Sequence, residues 1–235
     1  SKMCNVKFVT TFHGTYNYNN PIKKFYNSVM LRTHGTIAIS DYINSDTIRN
    51  YKIKPTLVVV IKRGIDLNFF NNEKDYQNEI KFIFEELDIK NDDIKILLPG
   101  RITGWKGHLL TLKAIKKLSN SYQNIKLIFV GPDENIKLKN ELINFIEDHK
   151  LQNNVIFTGS RHDINTFYAL ADLVITASTD PEAFGRVAVE AQAMGKFIIA
   201  SNHGGSKETV IDNETGYLFV PNDVEDLTKK LKISI

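Results

Sequence analysis

The sequence predicts an α/β fold built around a parallel sheet. From residue 94 onward, short apolar runs alternate with helical patterns, which is typical of a parallel sheet covered by helices on both faces. Polar residues or glycine lie just beyond the ends of several predicted strands, at the edge where such sheets bind ligands. These residues are His13, Arg63, Arg101, Gly131 and Glu182.

The elements of this alternation can be placed from periodicity. The predicted strands lie at 94–98, 125–130, 155–158, 173–177, 197–200 and 217–220. The predicted helices lie at 108–119, 136–149, 164–171, 184–194, 206–211 and 224–231. In the first of these helices Leu110, Ala114 and Leu118 recur at a spacing of four, which places them on one face.

The residues upstream predict a smaller α/β region. Its predicted strands are 6–12, 36–40 and 57–61, and its predicted helices are 22–32 and 41–51. Residues 68–93 are polar and rich in Asn, and we interpret them as a linker followed by a helix at 79–87. We therefore predict two domains, residues 1–71 and residues 72–235.

The composition argues against several classes of protein. The chain is 42% hydrophobic and 24% charged, as ordinary globular proteins are, and its net charge of +3 is too small to indicate nucleic-acid binding. Cys4 is the only cysteine, so an internal disulfide is excluded and a reducing cytosol fits. No apolar run reaches 18 residues, and no signal-like segment opens the chain. We expect a cytoplasmic protein.

Two carboxylates, Glu182 and Glu190, flank Phe184 and Gly185 after a predicted strand. A helix that starts there would offer unpaired N–H groups to a phosphate, whereas the carboxylates suit hydroxyl groups on either side of it. Eight residues of helix rise about 12 Å, roughly the distance from a ribose to a sugar across a diphosphate. The segment therefore indicates a sugar nucleotide. In the competing interpretation, Glu182 stabilises the helix dipole and Glu190 is solvated.

Two cations, Arg101 and Lys106, bracket a glycine-rich turn after the strand at 94–98. An arginine fork and a lysine point charge suit a diphosphate, and such charges stabilise a leaving phosphate as a sugar bond breaks. The competing interpretation is a pair of solvated surface cations. The turn does not fit the phosphate-loop pattern, because Trp105 stands where that pattern requires Gly.

Three weaker candidates lie in other loops. His13 precedes Gly14 and could bind a sugar hydroxyl or a phosphate oxygen, or could be an ordinary loop histidine. Gly204-Gly205 would let main-chain amides face a ligand ahead of Glu208, or would form a plain turn. Arg161 follows a predicted strand, where a base or phosphate would bind. No spacing of His and Cys residues indicates a metal site.

In combination these motifs strongly resemble the retaining glycosyltransferases of family four, which have the two-domain GT-B architecture. The resemblance covers roughly residues 6–231. It is carried by Gly100-Arg101 with Lys106-Gly107, by Glu182 and Glu190 with Phe184-Gly185 between them, by Gly204-Gly205-x-x-Glu208, and by Thr215-Gly216-Tyr217-Leu218-Phe219-Val220-Pro221. It implies a doubly wound, Rossmann-like C-terminal domain and a partial, Rossmann-like N-terminal domain.

The resemblance also implies roles for individual residues. Arg101 and Lys106 would hold the donor diphosphate, Glu182 would bind hydroxyls of the donor sugar, and Glu190 would bind the ribose. The amides of Phe184 and Gly185 would lie beside the sugar and the phosphate. His13 would belong to the loop that faces the donor sugar. Arg63-Gly64-Ile65-Asp66 matches the hinge motif, although many members have Asn at the position of Arg63.

The expected reaction follows from the family. The resemblance implies a UDP- or GDP-linked sugar donor, no cofactor, no required metal and retention of configuration. The acceptor would be a glycan or a lipid-linked glycan of the cell envelope, of the lipopolysaccharide or capsule type. Transfer would proceed by front-side displacement or through a short-lived ion pair. Peripheral contact with the inner face of the cytoplasmic membrane is left open.

The chain departs from the family in length. Members usually have a longer N-terminal domain, so residues 1–71 look like a remnant that could self-associate through residues 6–66 and leave the chain inactive in transfer. Two alternatives therefore stay open. One is a non-catalytic protein that binds nucleotide sugars, and the other is a sugar-nucleotide epimerase, which shares the fold.

Overall fold

The computed structural model describes residues 6–16 and 18–235, and Cys4 lies outside them. The chain divides into two units by its internal contacts. The first contains the described residues up to Gly64 and the later segments Pro181–Gly185 and Gly204–Thr209; the second contains the rest. The predicted division after residue 71 stays a prediction, and residues 65–71 group with the second unit.

The first unit contains a three-stranded parallel sheet in the order β1-β2-β3. Its elements are β1 (Val9–Phe12), α1 (Pro21–Asn27), a 3-10 helix (Ser28–Leu31), β2 (Gly35–Ala38), α2 (Asp41–Tyr51), a 3-10 helix (Pro55–Leu57) and β3 (Val58–Val60). Helix α2 has the predicted bounds for a local reason. The Ser40 side chain caps its first turn by accepting from the Ile43 amide, and Lys52 ends it in the left-handed conformation.

The second unit alternates strands and helices along the chain. The strands are β4 (Ile94–Pro99), β5 (Ile125–Val130), β6 (Val155–Phe157), β7 (Leu173–Thr176), β8 (Ile198–Ser201) and β9 (Gly216–Phe219). The helices are α3 (Gln77–Leu87), α4 (His108–Leu118), α5 (Ile136–Asp148), α6 (Ile164–Leu170), α7 (Arg186–Ala193) and α9 (Val224–Ser234). Between β8 and β9 lies the short helix α8 (Ser206–Thr209), which groups with the first unit.

The six strands of the second unit pair in the order β6-β5-β4-β7-β8-β9, and every pair is parallel. This is the doubly wound order of Rossmann-like folds, so the predicted fold class is confirmed. The order reverses between β4 and β7. In such sheets ligands bind beyond the carboxyl ends of the strands at that reversal.

Alternate residues of these strands supply the two faces of the core. Leu98 and Phe129 pack into one cluster, with side chains from α4, α5 and α9. Leu97 and Ile128 pack into the other, with side chains from α3, α6 and α7. Because successive side chains of a strand point to opposite faces, nearly continuous apolar strands bury both faces of the sheet.

Candidate active site

Glu190 is a buried member of the predicted site that two neighbouring side chains hold. It lies on α7 and is only 6% exposed. Its Oε2 accepts a hydrogen bond from the Tyr168 hydroxyl at 2.8 Å, and its Oε1 accepts from Nε and Nη2 of Arg186 at 3.0 and 2.6 Å. Burial, followed by the charge of Glu190, raises the pKa of Tyr168 well above its ordinary value, so this hydroxyl keeps its proton and donates. A solvated Glu190 is therefore the wrong interpretation.

Arg101 and Lys106 lie on the turn that follows β4, at the reversal of strand order. The Arg101 side chain is exposed. Lys106 is half-buried, with its ammonium 4.3 Å from the centre of the Trp105 ring. The Trp105 carbonyl accepts from the Thr179 amide at 2.7 Å, which fixes the turn against the loop after β7. The structure thus places both predicted cations on one braced turn.

Helix α4 begins directly after this turn with a buried histidine. His108 is 2% exposed, and within the described part of the chain neither of its ring nitrogens has a hydrogen-bond partner. Burial, and then the charge of Lys106, lowers its pKa from 6.5 to about 4. The imidazole is therefore neutral at pH 7.

Arg161 is engaged by neighbouring acids. Its guanidinium donates to both carboxylate oxygens of Glu86 at 2.7 and 3.1 Å, and to both of Asp163 at 2.9 Å. The bonds to Asp163 and Glu86, in that order, raise the pKa of Arg161 above its ordinary value. A base or phosphate at Arg161 would have to compete with two carboxylates, and its predicted binding role stays a prediction.

Within the first unit, the segment Pro181–Gly185 is held through its backbone. The Glu182 carbonyl accepts from the Gly205 amide at 2.7 Å, and Glu182 forms a parallel bridge with Gly204. A Cβ atom on Gly205 would lie 2.5 Å from the Phe184 Cα, so only glycine allows the two backbones to approach this closely. Phe184 and Gly185 are buried, and Glu182 is half-buried.

The predicted helix start at 184 is wrong. Helix α7 begins at Arg186, because Gly185 has a φ of 90°, which no right-handed helix contains. Glu182 therefore precedes the helix by four residues and lies in a bridge. The estimate of 12 Å, which assumed continuous helix between the two carboxylates, does not apply.

Glu208 anchors the glycine pair to helix α2 in the same unit. Its carboxylate accepts from the backbone amides of Asp41 and Tyr42 at 2.9 and 2.6 Å. The Ser40 hydroxyl, which caps this helix, donates to the Ala183 carbonyl at 2.6 Å. The start of α2 therefore holds both loop segments of the first unit.

The remaining predicted residues lie in loops. His13 is exposed and directly follows β1. Arg63 is exposed in the loop after β3. Among residues 6–16 and 18–235, no group of three or more His, Cys, Asp or Glu side chains could hold a metal ion. No helix in the same residues is long and apolar enough to cross a bilayer.

Sequence reasoning missed three contacts of the candidate site. In the sequence alone, Tyr168 looks like a core residue of a helix, and Arg186 looks like an ordinary basic residue near a helix start. The contact between Glu208 and the start of α2 spans more than 160 positions. The i, i+4 spacing of Arg186 and Glu190 was the one local signal available.

Two family profiles match the chain. The profile described as "Glycosyl transferases group 1" matches residues 79–234. The profile described as "Glycosyltransferase Family 4" matches residues 2–69. The resemblance inferred from the motifs is thereby confirmed.

Curated relatives are longer than this chain. Lipopolysaccharide 1,2-N-acetylglucosaminetransferase from Salmonella typhimurium is 40% identical over 140 residues, which is 57% of this chain and 36% of the relative. Protein CapJ from Staphylococcus aureus is 31% identical over 204 residues, which is 83% of this chain and 49% of the relative. The chain therefore spans less than half the length of these two relatives.

Solved structures share the fold over nearly the whole chain. A glycosyltransferase from Rickettsia africae matches with a TM-score of 0.91 at 38% identity, covering 99% of this chain and 61% of that protein. Anabaena Alr3699/HepE in complex with UDP and glucose matches with a TM-score of 0.83 at 26% identity, covering 99% and 62%. These matches identify the architecture as GT-B.

Proposed function

The chain belongs to the group 1 glycosyl transferases, and we propose that it binds a nucleotide sugar for transfer of the sugar, with retention, to a cell-envelope acceptor. The acceptor would be a glycan or glycolipid of the lipopolysaccharide or capsule type. One relative named for lipopolysaccharide and another named for capsular polysaccharide biosynthesis support this class of acceptor. Such transfer moves the anomeric carbon from a diphosphate oxygen to an acceptor hydroxyl.

The observation that carries the proposal is the buried carboxylate of Glu190 on α7, in a doubly wound sheet whose strand order reverses beside β4. Tyr168 and Arg186 hold this buried carboxylate in one orientation, which suits it to accept hydrogen bonds from a bound ligand. Ribose hydroxyls are donors that suit it. The Anabaena relative was solved with UDP, which supports UDP as one of the two candidate nucleotides.

Charge on the departing diphosphate would be balanced by Arg101 and Lys106. These cations lie on the braced turn after β4, so little reorganisation is needed as the sugar bond breaks. With two cations available, we propose binding without a metal ion. Two routes retain configuration: the departing diphosphate takes the acceptor proton in a front-side displacement, or a short-lived ion pair forms.

The donor sugar would be bound by the segment Pro181–Gly185. Glu182 would accept hydrogen bonds from sugar hydroxyls, and the amides of Phe184 and Gly185 would lie beside the sugar and phosphate. His13 would contact the donor sugar, and Arg161 would lie toward the base or phosphate. The backbone bonds of Glu182 support the first role, because they hold the segment in one conformation.

Contacts beyond the donor are also proposed. Apolar side chains of the first unit are exposed, which favours association through residues 6–66 or with a membrane surface. They include Phe8, Val9, Ile22, Phe25, Tyr26, Val29, Leu57, Val59 and Ile61. Sedimentation equilibrium of the chain with and without Val59→Lys tests self-association, and an unchanged monomer in both would contradict it.

Titration calorimetry with UDP and with GDP, each with and without EDTA, tests the donor site. We expect one nucleotide to bind equally well in EDTA, and a strict requirement for Mn²⁺ or Mg²⁺ would contradict metal-free binding. Product analysis with the matching nucleotide sugar separates the enzyme classes. A transferase hydrolyses the donor slowly, an epimerase interconverts its sugar, and a non-catalytic protein leaves it unchanged.

A further inference from the structure

The carboxylate of Glu190 already accepts three hydrogen bonds from its own chain. One comes from the Tyr168 hydroxyl to Oε2, and two come from Arg186 to Oε1. A carboxylate offers about four acceptor positions, so about one is left. A ribose that donates both its 2′ and 3′ hydroxyls needs two. One of the two side chains must therefore yield a position when a nucleotide binds.

The two side chains differ in what they would lose. Tyr168 is fully buried, so its hydroxyl would be left unsatisfied without Glu190. The Arg186 side chain is 52% exposed, so water can replace its bonds. Leaving a buried donor unsatisfied is costly, whereas the half-exposed guanidinium can regain its hydrogen bonds from water. Arg186 is therefore the side chain that gives up its hydrogen bonds to the Glu190 carboxylate.

We propose that Tyr168 is a positioning residue that fixes the Glu190 carboxylate through Oε2, and that Arg186 is an exchangeable partner that gives up Oε1 to the ribose. In the free protein Arg186 pairs with the carboxylate, which would otherwise be a buried charge without a counterion. In the bound protein Tyr168 keeps its bond, so the carboxylate stays oriented. The inference rests on the proposed function, because it takes Glu190 as the ribose-binding acid.

The test compares a ribonucleotide with its 2′-deoxy analogue in titration calorimetry, using whichever of UDP and GDP binds. The measured quantity is the ratio of the two dissociation constants. For the wild-type chain we expect about a tenfold preference for the ribonucleotide, equivalent to about 1.4 kcal/mol. A residue that only supports the fold would alter overall affinity without altering this ratio.

Three variants separate the roles. Tyr168→Phe keeps the ring and removes the hydroxyl, and we expect its ratio to fall close to one. Tyr76→Phe is the matched control, since Tyr76 is a buried tyrosine of the same core cluster, and its ratio stays at the wild-type value. Arg186→Leu removes the exchangeable partner, and its ratio stays the same or rises.

Each outcome bears on a different claim. Absence of binding by the wild-type chain contradicts the proposed donor site. Binding with a wild-type ratio near one, or an unchanged ratio in Tyr168→Phe, contradicts the positioning role alone. A fall in Arg186→Leu as large as that in Tyr168→Phe contradicts the exchangeable role. Thermal melting checks that Tyr168→Phe folds. If it does not, the ratio measured for Arg186→Leu tests the proposal instead, because a substitution at the half-exposed Arg186 should leave the fold intact.

Discussion

Glu182 and Glu190, the two carboxylates on either side of Gly185, are held by different means. Glu190 is fixed by side chains, through the Tyr168 hydroxyl and the Arg186 guanidinium. The position of Glu182 is fixed by backbone, through its own carbonyl and the glycine pair. A change of one functional group should therefore alter the orientation of the Glu190 carboxylate. An added Cβ atom at Gly205 should instead displace the segment that contains Glu182.

The largest expected effect comes from breaking the backbone contact. Gly205→Val places carbon 2.5 Å from the Phe184 Cα and 2.6 Å from its carbonyl carbon, where no side chain can move aside. We expect a loss of about 3 kcal/mol in the free energy of unfolding, as for a severe overpacking change. Urea denaturation measures it.

Gly64→Val is the matched control in the same unit, because a Cβ atom there meets nothing within 4 Å. The two variants differ in the neighbour that the new side chain meets. Equal stability of Gly205→Val and Gly64→Val would show that the close approach does not hold the Glu182 segment.

The next effect comes from loosening the same segment at its anchor. Glu208→Ala removes two charge-assisted hydrogen bonds to the start of α2 and should cost about 2 kcal/mol. Glu208→Gln should cost less, because its amide keeps one acceptor oxygen. Glu214→Ala, at an exposed acid, should change little. Denaturation curves that overlap for Glu208→Ala and Glu214→Ala would refute the anchor.

The smallest effect belongs to the second unit and depends on pH. The folded pKa of His108 is about 4 and its ordinary value is 6.5, so between them the unfolded chain binds a proton that the folded chain does not. The stability contributed by the neutral imidazole is complete above pH 6.5 and is lost as pH falls toward 4. At pH 5.5 the loss is about 1.4 kcal/mol relative to pH 7.5.

His108→Leu removes this titration while it fills much of the same buried space. The change in unfolding free energy between pH 7.5 and pH 5.5 should therefore be smaller in the variant than in the wild-type chain. The same pH dependence in both proteins would mean that His108 is solvated or paired in solution.

Local patterns predicted most of the elements that position the site. Apolar runs predicted the strands of the second unit because both faces of each strand are buried. The helix predicted at 41–51 has those bounds in the structure, where Ser40 caps it. The start of α7 was misplaced because helix-forming residues flank Gly185, and its positive φ is set by its surroundings. A sequence pattern does not show that conformation.

The contacts that refine the site could not be predicted, because they are long-range. Tyr168 lies 22 positions before Glu190 and looks like any aromatic residue of an apolar helix. Glu208 meets the amides of α2 only once the first unit has folded. The motifs predicted which carboxylates belong to the candidate site, but not which groups hold them.

The separate roles of the two carboxylates are tested by comparing Glu190→Ala with Glu182→Ala in titration calorimetry, with the free nucleoside diphosphate and with the whole nucleotide sugar. Glu190→Ala should weaken the binding of both ligands by about 1.5–3 kcal/mol, because the ribose is common to both. Glu182→Ala should weaken only the binding of the nucleotide sugar, because the free nucleoside diphosphate lacks the donor sugar that Glu182 would contact. Equal losses of affinity for the free diphosphate in the two variants would contradict the separate roles of the two carboxylates.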